Sequence, residues 1–450
     1  MNKLKFATLI AATIPSMATA KPFTAKNAAQ GFTGVTGDFS NVLFNPALLA
    51  NHQKNDNFLT SFGAGILVSN PDEMIDTIDN AQDLMDRIDG KEISIDERDE
   101  LISILDELNN NTISAEAGVQ LFSLIPTDSL KIGISINNET KIAGQFTFDE
   151  NDRTLLYDLS AVADTYETWE ALSKAEKEKF TGFDDWAKDA TVLQKIWDNF
   201  DPAKKAKYGN DIKAWENAKK DAFDKNQLKS SATLVGYAVS EAALTLAQNI
   251  NLSNGDLSLG ANIKYQRVDV FDYMANVASF DGDDFEIDDY LTDDAQINLD
   301  LGAQYSWGEN RQWQVGLVAK NLNSFDIHST STDASGAPTT KTASIDPQVT
   351  AGVSYDNQLM RVAFDLDLVK HNAFTSLLEE NQFASLGVEF DAWQWAQIRA
   401  GYRKDLKSNS ENLITAGFGL SPFDTVSLDV SGLLGSEDTV GGVVQLGIKF

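Results

Sequence analysis

From about residue 230 onward the chain alternates apolar and polar residues with a period of two, segment after segment. Met360, Val362, Phe364, Leu366 and Leu368 share one face, with Arg361, Ala363, Asp365 and Asp367 on the other. Ile297, Leu299, Leu301, Ala303, Tyr305 and Trp307 alternate in the same way with Gln296, Asn298, Asp300, Gly302, Gln304 and Ser306. An α-helix cannot hold such a pattern on one face, whereas a strand with one apolar and one polar side does so directly. The same reading predicts strands over 57–69, 112–125, 130–149, 231–251, 256–279, 295–307, 312–326, 344–355, 358–370, 382–391, 396–404, 412–421, 424–434 and 439–450. The total is fourteen if 130–149 is one bent strand with an irregularity near Asn137-Asn138. Merging it keeps the count even, as a bacterial barrel requires.

The connections fall into two classes. Pro126-Thr127-Asp128-Ser129, Ser253-Asn254-Gly255-Asp256, Asp356-Asn357 and Ser421-Pro422-Phe423-Asp424 carry the residues of tight turns. The others, 70–111, 150–230, 280–294, 327–343 and 371–381, are long. Short turns opposite long loops, strands long enough to cross a bilayer when tilted, and aromatics near strand ends (Trp307, Trp313, Tyr355, Trp393, Trp395, Tyr402) together favour a membrane barrel over a soluble sandwich. The expected fold is therefore all-β: an antiparallel outer-membrane barrel, 57–450, of about fourteen strands. An N-terminal luminal hatch over 21–50 and helical extracellular inserts complete it.

Two inserts break the period. In 71–110, Met74, Ile75, Ile78, Leu84, Met85 and Ile88, then Leu101, Ile102, Ile104, Leu105 and Leu108, recur at helical spacing around Asp89-Gly90-Lys91. This spot imitates a Ca²⁺ loop, but Met85 and Arg87 stand where an EF-hand needs oxygen ligands. In 150–229, Trp169, Phe180, Trp186, Trp197, Trp215 and Phe223 sit among Lys and Asp. They read as a small helical cap packing its own aromatics, or as an outer surface that catches an apolar ligand or a partner.

The first twenty residues read as an address. Lys3 and Lys5 precede a short apolar stretch, Phe6 to Ile14, and Ala18-Thr19-Ala20 makes a cleavage site after Ala20. The final residue, Phe450, stands at the end of an alternating strand. It resembles the sorting signal of bacterial outer-membrane barrels, which implies the barrel-assembly machinery as a partner, with membrane lipid and lipopolysaccharide around the product.

Composition narrows the chemistry. The 450 residues carry 36 Lys+Arg against 67 Asp+Glu, a formal charge of −31, which argues against nucleic acid. Zero Cys excludes disulfides and thiolate chemistry. The three His, His52, His328 and His371, show no spacing to a nucleophile, so no enzyme, cofactor or metal site is expected. The acidic run Asp281 to Asp294 reads as a solvated face, with divalent-cation bridging as the sharper alternative. The polar strand faces carry Lys264, Asp300, Lys320, Arg361, Asp365, Asp367, Glu389, Arg399, Arg403 and Asp429, mixed signs that should pair with one another and fill the lumen.

Residues 27–50 are Gly-rich and too irregular for a membrane strand. A fourteen-stranded lumen is wide enough to hold them. The order Gly31, Gly34, Asp38, then Asn45-Pro46-Ala47 resembles the hatch of FadL-type outer-membrane transporters, and more narrowly the start of the TraF-like outer-membrane family. The first resemblance implies passive uptake of a small hydrophobic compound. The second implies a conjugation-associated or envelope-assembly surface protein without transport.

Overall fold

The computed structural model describes residues 22–52, 59–70, 73–89, 95–125, 127, 130–156, 172–179, 227–276, 290–332, 338–357, 359–372, 377–378, 380–391, 393, 395–422, 425–436 and 438–449. The strands run β1 (Leu59–Ser69), β2 (Thr112–Ile125), β3 (Lys131–Thr147), β4 (Ser231–Leu252), β5 (Gly255–Asn276), β6 (Leu291–Trp307), β7 (Trp313–Lys320) and β8 (Phe325–Thr332). Then come β9 (Pro338–Ile345), β10 (Gln348–Asp356), β11 (Met360–Asp367), β12 (Phe383–Asp391), β13 (Ala396–Asp405), β14 (Leu413–Leu420), β15 (Val426–Gly435) and β16 (Thr439–Lys449). Fourteen of them close a barrel in which every neighbour is antiparallel, β1 sealing against β16 from Leu59↔Lys449 to Ser69↔Thr439. The remaining two, β8 and β9, form a separate hairpin. Closure leaves no strand edge unpaired.

Burial along the barrel strands is the reverse of a soluble protein's. On β11, Met360 and Phe364 are exposed, while Arg361 and Asp365 are each 4% exposed. Ile297, Leu301, Leu317, Ile398, Ile414 and Phe418 also face outward in the open. The alternating faces read from the sequence are thus an apolar exterior and a polar interior. Near the tight turns, Tyr305, Trp307, Trp313 and Tyr355 stack in a continuous row, with Trp307 and Trp313 6.4 Å apart and Trp313 and Tyr355 4.9 Å apart.

Three features differ from the sequence reading. The expected irregularity at Asn137-Asn138 is absent: β3 pairs without interruption from Lys131 to Thr147 against β4, and Asn137 and Asn138 keep register with Gln120 and Val119. Two adjacent polar residues break the apolar–polar rhythm without breaking the ladder: Asn137 pairs with Glu241 and Asn138 with Ser240, and both are buried. Second, the 327–343 loop is largely the β8–β9 hairpin. Asn321 takes a left-handed φ of 56° and ends β7, and Ile327, Ala343 and Ile345 then pack on Val239, Val268 and Val270 of the tall β4–β5 wall. Third, β6 starts at Leu291, so Asp293 and Asp294 belong to a strand; Asp293 lies 3.6 Å from Arg267. The rest of the acidic run, 281–289, lies outside the described residues, as do Ala18, Ala20, Phe450 and the aromatics of the 150–229 insert.

The first insert folds as α1 (Met74–Ile88) and α2 (Ile95–Leu108). Their apolar stripes meet over Ile113, Phe146, Phe148, Leu156 and Leu228, a core of its own beside the end of β2 and β3. Asp152 ties this core to the return strand, its carboxylate accepting from the backbone amides of Lys229 at 2.8 Å and Ser230.

Candidate functional site

Residues 22–52 lie inside the barrel. A short helix, α3 (Ala25–Ala29), is capped by Thr24, and two 3₁₀ turns follow at Phe39–Asn41 and Pro46–Asn51. Asn27, Gln30, Thr33, Thr36, Asn41 and Asn45 are fully buried polar residues, so each must find partners at hand. Many are wall residues. The backbone N–H groups of Gly34 and Val35 both donate to Asp365 Oδ2, at 2.6 and 2.9 Å. Gln304 accepts from the Gly37 N–H at 2.8 Å and donates back to the Gly37 carbonyl at 3.2 Å. Thr415 accepts from the Gly31 N–H at 3.0 Å and donates to the Ala29 carbonyl at 3.0 Å. Arg361 donates to the Thr36 carbonyl, and Lys320 to the Leu43 carbonyl at 3.1 Å.

The segment from Asn45 to Ala47 meets β6. The Asn45 amide donates to Val35 O at 2.8 Å and to the wall carbonyl of Ala303 at 3.2 Å, while its Oδ1 accepts from the Ala47 N–H at 3.0 Å. Pro46, at the first position of its turn, supplies a fixed φ where no N–H is needed. Gly31 has φ 64°, and a Cβ there would lie 2.7 Å from the Tyr402 carbonyl oxygen. A Cβ on Gly34 would collide with the Phe44 ring. Asp38 caps the first 3₁₀ turn through the Ser40 N–H at 2.9 Å and pairs with Lys26 at 3.2 Å. Its carboxyl is exposed, and Lys26, the Ser40 hydroxyl and Arg361 hold it well below its usual range. A lowered pKa contributes stability that is present at neutral pH and fades as pH falls through the acidic range.

The wall is shaped to admit this segment. Inward-facing glycines recur on β5, β6, β7, β10, β12 and β13: Gly260, Gly302, Gly316, Gly352, Gly387 and Gly401. Gly260 pairs with Gly302, Gly316 with Gly352 and Gly387 with Gly401, so they form a belt. A Cβ on Gly401 would collide with the Gly31 nitrogen, one on Gly302 with the Asn45 side chain, and one on Gly316 with the Val35 carbonyl at 2.5 Å. Glycine inside a strand marks close backbone approach, a signal that each strand carries in its sequence but that only the register joins into a belt.

The charges of the lumen sort into three groups. Lys264, 2% exposed, pairs with Glu241 at 2.8 Å and Asp300 at 2.9 Å, and Arg399 bridges Glu389 and Asp429 at 2.5 Å each. These pair with one another. Asp365, Arg361 and Lys320 instead hold hatch backbone, which corrects the expectation of purely mutual pairing: the buried segment offers peptide groups that a sequence list of charges does not reveal. Arg403 belongs to neither group; its guanidinium lies between the rings of Phe32, 4.6 Å away, and Phe383, 4.4 Å away. Breaking a buried pair by removing one partner costs about 3–5 kcal/mol. Lys264→Met is therefore expected to lower the unfolding temperature of the purified barrel, read by heat-modifiable gel migration, whereas Lys404→Met on the exposed face leaves it unchanged.

Above the hatch lies a cavity of about 660 Å³. Phe32, Val35 and Phe44 of the hatch line it, as do Leu377, Leu378 and Phe383. Glu116, Glu139, Lys141 and Asp367 are among its polar lining. Phe32 takes a left-handed φ of 66°, rare for a bulky residue, and its N–H donates to the Asn27 carbonyl at 2.7 Å. Holding an aromatic there costs of order 1–3 kcal/mol. The three His stay apart: His52 stacks edge-on to Phe39, His328 contacts Thr342 on the β8–β9 hairpin, and His371 contacts Asp367 at the mouth.

The chain is similar in structure to the Pseudomonas putida toluene transporter TodX (11% identity, 97% of this chain and 99% of that one, TM-score 0.44). It is similar also to the CymD monoaromatic hydrocarbon channel (10%, 96% and 99%, 0.48) and to a Pseudomonas aeruginosa FadL homologue (10%, 97% and 98%, 0.44). No curated protein matches the sequence. The profile of the family described as "F plasmid transfer operon, TraF, protein" matches residues 42–367, which is most of the chain, and the chain belongs to that family.

Proposed function

We propose that this barrel stands in a bacterial outer membrane, tight turns in the periplasm and long loops outside, and admits a small compound with an apolar body by passive uptake, with residues 21–50 as its plug. The observation that carries the reading is the cavity of about 660 Å³ between the hatch and the loop end, floored by Phe32, Val35 and Phe44. Its volume is that of a small-molecule site. The exposed apolar belt and the aromatic row at the turn end support the membrane setting, since a large exposed apolar surface on a closed barrel is covered by lipid.

The test is uptake of labelled toluene at limiting concentration by cells with and without the protein. Uptake is expected to be severalfold faster with it. The family description favours a second reading, an envelope protein serving plasmid transfer. Unchanged uptake together with a lower mating frequency in the deletion strain would replace the first reading by the second.

A further inference from the structure

We infer that Arg403 is an oxyanion subsite of the luminal cavity, and that the compound held there is a small organic acid whose carboxylate meets this guanidinium. The inference rests on the uptake reading only for its setting; binding can be measured by itself.

Arg403 lies on β13, faces the lumen and lines the cavity. It is 4% exposed. A guanidinium carries five N–H donors and cannot shed its charge. Yet Nε and Nη1 are enclosed with no acceptor, and among the described residues Arg403 makes no ion pair. Within the cavity lining it is the one described cation with enclosed N–H groups left unsatisfied. A buried donor without a partner is costly, so its persistence calls for an explanation.

The carboxylates nearby are committed elsewhere. Asp405, two residues on, accepts from the backbone N–H groups of Gln382, Lys407, Asn409 and Ser410, between 2.9 and 3.1 Å. Asp365 holds the hatch amides. Asp367 accepts from Thr350, from the Phe383 N–H at 2.9 Å, and contacts His371 at 3.2 Å. Arg403 thus stands at the cavity wall with the charge of Asp405 in range but no carboxylate bonded to it.

The two rings fix what can approach. Phe32 and Phe383 cover the guanidinium, so attraction to the rings partly replaces hydration. What they leave is directional N–H capacity, which suits a planar carboxylate better than a neutral group. Leu377 and Leu378 line the same cavity and supply apolar contact for the body of such an acid. The strained backbone of Phe32 is consistent with a ring held at this spot for a purpose.

The experiment is equilibrium dialysis of the barrel in lipid nanodiscs, with empty nanodiscs subtracted, against 4-fluorobenzoate and its neutral counterpart 4-fluorobenzyl alcohol, read by fluorine NMR. The parent should bind the acid about tenfold more tightly than the alcohol, the scale of hydrogen bonds to a charged group. Arg403→Met should abolish that preference and leave the alcohol within about twofold of its parent value. Arg403→Lys should retain part of the preference, because charge survives and the fork does not. Equal binding of acid and alcohol by the parent, or no binding of either, overturns the subsite. So does a preference that survives Arg403→Met. A parallel fall in both affinities, accompanied by raised conductance, would show that Arg403 merely clamps Phe32. If Arg403→Met fails to assemble, the Lys variant and the parent's acid-to-alcohol ratio still decide. Selective binding without permeation keeps this subsite and removes the uptake reading; permeation indifferent to Arg403 does the reverse.

Discussion

Deleting residues 24–50 is expected to turn a nearly closed barrel into a conducting one, with single-channel conductance in planar bilayers rising severalfold. A fourteen-stranded wall encloses more space than its own side chains fill. In this molecule the space is taken by a segment whose polar residues Asn27, Gln30, Thr33, Thr36, Asn41 and Asn45 are all buried. Removing it strips Asp365, Gln304, Thr415 and Arg361 of their hatch partners. Those groups then take water, which is available once the lumen opens. The strand ladders remain, because none of their hydrogen bonds runs through the hatch. Barrel assembly should therefore survive, as heat-modifiable migration would report. Unchanged conductance would mean that the segment does not seal the lumen.

Gly401→Leu should have nearly the same effect through a single side chain. Its Cβ would run into the Gly31 nitrogen, and that obstacle is backbone, held by Thr415. Overpacking a well-filled site costs about 1–3 kcal/mol even where neighbours can yield. Here the clash is relieved most directly by unseating the hatch, while leucine suits a strand well enough for the wall to close. Conductance of this variant should approach that of the deletion. Gly432→Leu is the matched control: a Cβ there meets nothing within 4 Å. It should leave conductance and assembly at parental values. If Gly401→Leu conducts like the parent, the wall glycines do not seat the hatch.

The barrel itself was legible in the chain because its physics is local. A strand between an apolar exterior and a polar interior must alternate, and β11 does so from Met360 to Asp367 except at the small Ala363. Turn residues and the even count then settled closure, including the continuous β3. The β8–β9 hairpin was not legible, since Ser and Thr alternate there with no apolar rhythm strong enough to separate strand from loop. It depends on the tall β4–β5 wall for its packing partners.

The interior was legible only as a list of charges. Lys264 and Arg399 behave as that list suggests: Lys264 meets Glu241 and Asp300 diagonally on its two neighbouring strands, and Arg399 meets Glu389 directly opposite and Asp429 two strands away. Asp365 and Gln304 do not, because their partners are peptide groups more than two hundred residues away in sequence. Likewise, Gly260, Gly302 and Gly401 read singly as weak points in strands and become a seat only when the barrel closes around the hatch. Period-two alternation is a property of each strand and survives being read one segment at a time. Which wall residue faces which hatch amide, and which guanidinium is left without an acceptor, depend on strand register around a closed ring, and closure exists only in three dimensions.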